Sequence, residues 1–195
     1  MTQSPEEWHD LPGLSICMRE TWDGENRIFF LVRPVTKFDL LDLEVDVEEE
    51  LNPGDFDKWK NQNSFAARLT SMEFSPWMNF PIWQLREALE ESTLEGPPQE
   101  TRIWVACEWL IRCADIIHKY LIEQEEPEDA SLATGELCDS SIPQLGPKRW
   151  EFWKTRLREF LTDAEKLNLC ADISERVQEA LDRMESVQST EVKDS

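Results

Sequence analysis

Asp115 and His118 are the residues of this chain best placed to do chemistry. They stand three apart in a strongly apolar stretch. On a helix that spacing puts a carboxylate beside an imidazole, where it can orient the ring. Such a pair is the smallest unit of general acid–base catalysis, and Cys107, three turns earlier, adds a thiol. The competing explanation is structural, since a histidine near a helix end is more often a satisfied cation there. His9 has still less around it. The five cysteines, Cys17, Cys107, Cys113, Cys138 and Cys170, form no paired CxxC spacing, and no phosphate or metal motif accompanies them. No cofactor and no metal are expected.

Binding chemistry has more material. Nine tryptophans supply large rigid apolar bodies, each with one N–H donor. Trp104 and Trp109 share a helical stretch, and Arg68 and Arg86 fall in apolar or acidic helical contexts. Two guanidinium groups among indole faces would suit a carboxylated aromatic ligand. The alternative, favoured here, is that both arginines clamp carboxylates such as Glu87 or Glu90. Trp150 and Trp153 are spaced i, i+3 and share a face, as core residues or as a docking stripe. Lys148, Arg149, Lys154, Arg156 and Arg158 make their helix a basic island. It could meet the chain's own acidic 123–129 stretch or an equivalent patch on a second copy, and raised salt would weaken that self-association.

The elements that must hold these groups are helices. Leu14, Cys17, Met18 and Trp22 recur at helical spacing between Pro12-Gly13 and Gly24. Residues 27–54 break the pattern. A β-prone run at 28–32 and alternation through Leu41, Leu43, Val45 and Val47 suggest a small hairpin or a weakly ordered insert. Helical periodicity returns from Asp55 and stops before Ser75-Pro76. Asn79 can cap the next helix, with Pro81 in its first turn. Pro98 to Gln124 is apolar nearly all round and should be central. Residues 125–146 read as a mobile loop. Pro147 opens the helix of Trp150 and Trp153, and Asp172 to Glu175 has the form of a capping box before a last helix. The tail from Ser189 should fray. The expected fold is an all-α, irregular five- to six-helix bundle in one domain over 1–188.

Charge narrows the function. There are 41 acids against 20 bases, net −21. Such a surface repels nucleic acid and anionic membranes alike. No run is apolar and long enough to span a bilayer, and the acidic N-terminus has no signal-type segment. The cysteine usage suits a reducing compartment, cytoplasm or nucleus.

Several strings, taken in order, resemble a fungal family of uncharacterised helical proteins. They are Trp8-His-Asp-Leu-Pro-Gly-Leu leading to Cys17-Met-Arg-Glu-Thr-Trp22, Asn63-Ser-Phe-Ala-Ala-Arg-Leu69, Ile82-Trp-Gln-Leu-Arg-Glu-Ala-Leu-Glu90, Trp104-Val-Ala-Cys-Glu-Trp-Leu110 and Trp150-Glu-Phe-Trp-Lys-Thr-Arg-Leu157. The chain departs from that family in beginning almost at the Leu-Pro-Gly box and in residues 27–54. The resemblance implies a cytosolic, all-helical protein of a filamentous fungus, placed in or near secondary metabolism. The expected role is accessory and non-catalytic, through binding a protein or a small molecule. The rival is a tailoring enzyme with a tryptophan-lined pocket and His118 as acid or base.

Overall fold

The computed structural model describes residues 53–74, 78–123 and 130–194. The helix expected at 13–23 and the insert expected at 27–54 lie outside them, apart from Pro53 and Gly54. Among the described residues there are five helices and no strand: α1 Pro53–Ser71, α2 Asn79–Leu89, α3 Pro97–Glu123, α4 Pro147–Thr162 and α5 Ala171–Asp194. The fold class is all-α. The chain divides into two compact units, Met1–Asn61 and Gln62–Ser195, and α1 runs from one into the other. In the first unit the described part is the start of α1, where Trp59 is buried. All that follows concerns the second.

Helix α3 is the axis of that unit. Gly96, at φ +69, turns the chain, and Pro97 and Pro98 occupy the first turn, where a missing N–H costs nothing. Gln99 accepts the Leu94 N–H at 2.9 Å on its side-chain oxygen. Ile103, Cys107, Leu110, Ala114, Ile117 and Leu121 are buried as one stripe, and Val105 and Trp109 are buried beside it. A helix covered on so many sides must be surrounded, and α2, α4 and α5 all pack on it. The helix is kinked at Cys113 (φ −132, ψ 19), whose thiol donates to the Ala67 carbonyl of α1 at 3.2 Å. A side chain drawn into another helix at the break accounts for the bend.

The ends differ from expectation in instructive ways. Helix α1 closes in a Schellman turn: Phe74 N bonds Leu69 O and Glu73 N bonds Thr70 O. Glu73 fills the left-handed position at φ +55, a place that favours glycine. Asn79 is the first residue of α2 and not its cap; Met78 stands there and offers no side-chain acceptor. Asp172 and Glu175 do not form a capping box either. Helix α5 starts at Ala171, and Ile173 N and Ser174 N both bond Cys170 O. Asp172 lies inside the first turn, where its charge complements the exposed N–H groups. The tail expected to fray from Ser189 is helical to Asp194.

The core lies where α3, α4 and α5 meet. Trp109, Trp150, Trp153, Leu157 and Phe160 fill it, and Ile173, Val177, Ala180, Leu181 and Met184 close it from α5.

Candidate functional site

Loops of all-helical proteins are held by what their few polar anchors can bond. Here the anchor is Glu90, the residue that ends α2, and its partner is Arg149, in the first turn of α4. Both are fully buried. Arg149 Nε donates to Glu90 Oε1 at 2.6 Å and Nη2 to Oε2 at 3.0 Å, a two-pronged ion pair. A guanidinium carries five N–H groups, and all five are used. Nη1 donates to Leu132 O at 2.8 Å and Gln144 O at 2.6 Å, and Nη2 also reaches Ala133 O at 3.4 Å. The carboxylate is as fully occupied. Trp153 Nε1 donates to Oε1 at 2.6 Å and Gly135 N to Oε2 at 2.7 Å.

Gly135 is the contact that fixes the loop's height over α2. A Cβ there would lie 2.5 Å from the Glu90 carbonyl oxygen and 2.7 Å from the Glu90 Cβ. Only hydrogen fits, and Leu137 N adds a bond to Glu90 O at 2.9 Å. Residues 130–146, expected as part of a mobile loop, are thus fastened at both ends. Trp83 Nε1 donates to Ser131 O at 2.7 Å and Arg86 Nη1 to Ala133 O at 3.3 Å on the near side.

Beyond this clasp the loop turns outward. Asp139 Oδ1 accepts the Ser141 N–H at 2.7 Å, closing an Asx turn, and Lys148 Nζ donates to Ser141 O at 3.2 Å. The turn and the first half of α4 enclose a shallow groove of about 420 Å³, open to solvent. Its mostly apolar lining includes Ile142, Pro147 and Phe152, together with Asp139, Lys148 and Glu151. Hydrogen bonds from Ser141 hold Asp139 below the usual carboxylate range. Burial alone would raise Glu151, but bonds from Gln188 and Lys154 bring it below that range as well. Both acids are therefore ionised at neutral pH.

A second polar knot lies across the core. Glu108 accepts from Ser64 Oγ at 2.7 Å, from Arg112 and from Arg176 of α5. Burial works against the charge, and these three bonds overcome it, leaving the carboxyl below its ordinary value. Arg176 also lies over the Trp104 ring at 4.3 Å.

The structure separates most residues that the sequence suggested as partners. Asp115 is exposed and faces Arg183 of α5 at 4.0 Å. His118 turns inward and meets Trp150 edge-on, ring centroids 4.8 Å apart. The two do not share a cleft. Arg68 is exposed on α1, whereas Arg86 is a half-buried clamp on the 130–146 loop, so they form no common pocket. Trp104 is half-buried under Arg176, and Trp109 is buried with its N–H on Asn63 Oδ1 at 2.9 Å. Trp150, Trp153 and Arg149 are core residues and not a docking stripe. Arg156 holds Leu89 O at 3.1 Å and pairs with Glu159. Lys154 bonds Gln188 and Glu151, and Arg158 bonds Glu185 at 2.7 Å. Four cations of the basic island bond within the chain, Arg149 and Arg156 on the α2 side of the helix and Lys154 and Arg158 on the α5 side, with Arg158 still half exposed.

Glu90 was expected as a partner of Arg68 or Arg86 and not of Arg149, and Gly135 was not singled out at all. The one available signal was that Glu90, unlike its neighbour Glu91, continues the apolar stripe of Leu85, Ala88 and Leu89.

Among the described residues, no group of three or more His, Cys, Asp or Glu is placed to hold a metal ion, and no helix is long and apolar enough to cross a membrane. No curated protein and no solved structure matched the chain. The family described as "Protein of unknown function (DUF3632)" matches residues 1–157, a stretch that takes in the clasp, the loop and the groove and leaves α5 outside. With most of its length matched in this way, the chain belongs to the DUF3632 family.

Proposed function

We propose that the protein is a non-catalytic, all-helical accessory protein that acts by binding, and that the turn at 139–142 with the first half of α4 is its binding surface. The observation that carries this reading is the clasp. Burying a carboxylate and a guanidinium costs several kcal/mol before their bonds are counted. A fold that meets every bond of such a pair, in order to fix one irregular segment, is presenting that segment in a single shape. Binding residues are disproportionately found on loops held by a rigid scaffold. The motif resemblance supports a filamentous-fungal source, a cytoplasmic or nuclear setting and a role beside secondary metabolism.

Catalysis has less support. His118 is buried against Trp150, and burial pushes the Cys107 and Cys113 thiols up to about 12. Neither thiol is poised to attack a substrate near neutral pH, and His118 does not line the groove.

The test is native mass spectrometry of the protein purified from a fungal host, beside the Phe152→Ala and His118→Gln variants. A stoichiometric partner or small molecule should be bound, lost from Phe152→Ala and kept by His118→Gln. A metabolite turned over by the parent protein and not by His118→Gln would establish the enzyme reading in its place.

A further inference from the structure

The segment between α2 and α3 carries a modification signal that the fold makes selective. Among the described residues, three hydroxyl groups have a carboxylate three positions after them, the spacing that acid-directed protein kinases read: Thr70 with Glu73, Ser92 with Glu95 and Thr162 with Glu165. Thr70 is buried in α1. Thr162 lies in the last turn of α4, with its hydroxyl donating to Arg158 O at 2.9 Å. A helical residue of this kind enters a kinase cleft only after local unfolding. Ser92 stands in irregular backbone from 91 to 96, beside exposed Thr93 and Glu95. Among the described residues only its backbone N–H is bonded, and its hydroxyl is not. We infer that Ser92 is a phosphorylation site for an acid-directed kinase, and that the phosphate loosens residues 136–142 of the adjoining loop.

The step moves the γ-phosphoryl group of ATP to Ser92 Oγ. The bond to ADP breaks, the new O–P bond forms, and the hydroxyl proton passes to the kinase's catalytic carboxylate. The product carries a charge of about −1.5 to −2 at neutral pH. Ser92 N donates to Glu136 Oε1 at 3.0 Å, so the phosphate arises next to a carboxylate that ties the loop to this segment. Glu91 and Glu95 lie in the same segment. The cation nearby, Arg86, is already engaged: Nε is 3.8 Å from Glu91 Oε1, and Nη1 holds Ala133 O at 3.3 Å. Like-charge repulsion therefore acts on Glu136. Were Arg86 to turn to the phosphate, Ala133 would lose its bond, which frees the same loop. Gly135 stays on Glu90 Oε2 inside the clasp, so the change begins at Glu136 and runs into the turn at 139–142. Any effect on binding rests on that turn being the binding surface; the phosphate and its effect on the loop do not.

The experiment is phosphopeptide mapping of the full chain after incubation with ATP and casein kinase II, followed by hydrogen exchange of the modified protein. The phosphate should be found on Ser92, be absent from Ser92→Ala and be reduced in Glu95→Gln. The amides of Ser92 and of 136–142 should exchange faster once Ser92 is phosphorylated. That change should be smaller in Glu136→Gln, which removes the repelled charge and keeps an acceptor for Ser92 N. Phosphate on Thr162 with Ser92 bare, or on Ser92 only after the chain has been unfolded, would overturn the site. Unchanged exchange in protein phosphorylated at Ser92 would overturn the loosening.

Discussion

At the scale of single residues, the fully bonded Glu90–Arg149 pair sets the sharpest expectation. Removing one partner leaves an uncompensated charge in the core, so Arg149→Met should cost about 3–5 kcal/mol in urea denaturation. Limited proteolysis should then open within 133–145. Gly135→Ala forces a methyl against the Glu90 backbone and should cost about 1–3 kcal/mol by overpacking. Thiol titration tests the burial of the cysteines. Burial holds Cys107 and Cys113 protonated up to about 12, against 9.0 for a free thiol. The stabilisation from keeping them neutral is intact below 9.0 and is lost as pH rises toward 12. Thiolate absorbance near 240 nm from these two should therefore appear only with unfolding. Glu108 has the opposite sign. Its folded value lies below 4.5, so its contribution is present above that pH and falls away as acid is added. Glu108→Gln should flatten the acid limb of the stability curve. Residue types alone brought out the arginines and tryptophans but not their partners. The pairing of Arg149 with Glu90 spans 59 residues of sequence, and no local spacing encodes it.

Helices, the next scale up, were the legible part. Apolar periodicity places all five described helices, because a buried stripe must recur every three to four residues whatever covers it. Their ends were less legible. The Asp172-to-Glu175 string satisfies the capping-box pattern, yet α5 begins one residue before it. There Cys170 already has its own N–H held by Glu100 Oε1 at 2.9 Å. A tertiary bond settled the boundary that a local motif would have put elsewhere. The kink at Cys113 was equally hidden, since its cause is a carbonyl on another helix. The close of α1 yields an element-scale prediction. Glu73 sits at φ +55, where a side chain is strained by about 1 kcal/mol relative to glycine. Glu73→Gly should raise stability by that order in thermal or urea unfolding, provided the C-terminal turn of α1 stays formed.

For the whole molecule, charge and chain order dominate. A net charge of −21 repels itself, and raising salt from 50 to 500 mM should increase Tm by a few degrees through screening, as followed by circular dichroism. The pairing of Arg149, Lys154, Arg156 and Arg158 within the fold uses part of the basic island from which a salt-sensitive self-association was expected. Helix α5 has a separate consequence, for synthesis. It packs along both α3 and α4 and buries Val177, Ala180, Leu181 and Met184 there, yet it leaves the ribosome after both of them. Until it emerges, the central helix carries an open apolar flank. The second unit cannot close its core before α5 has been made, and a nascent chain stalled before residue 171 would be a substrate for holding chaperones.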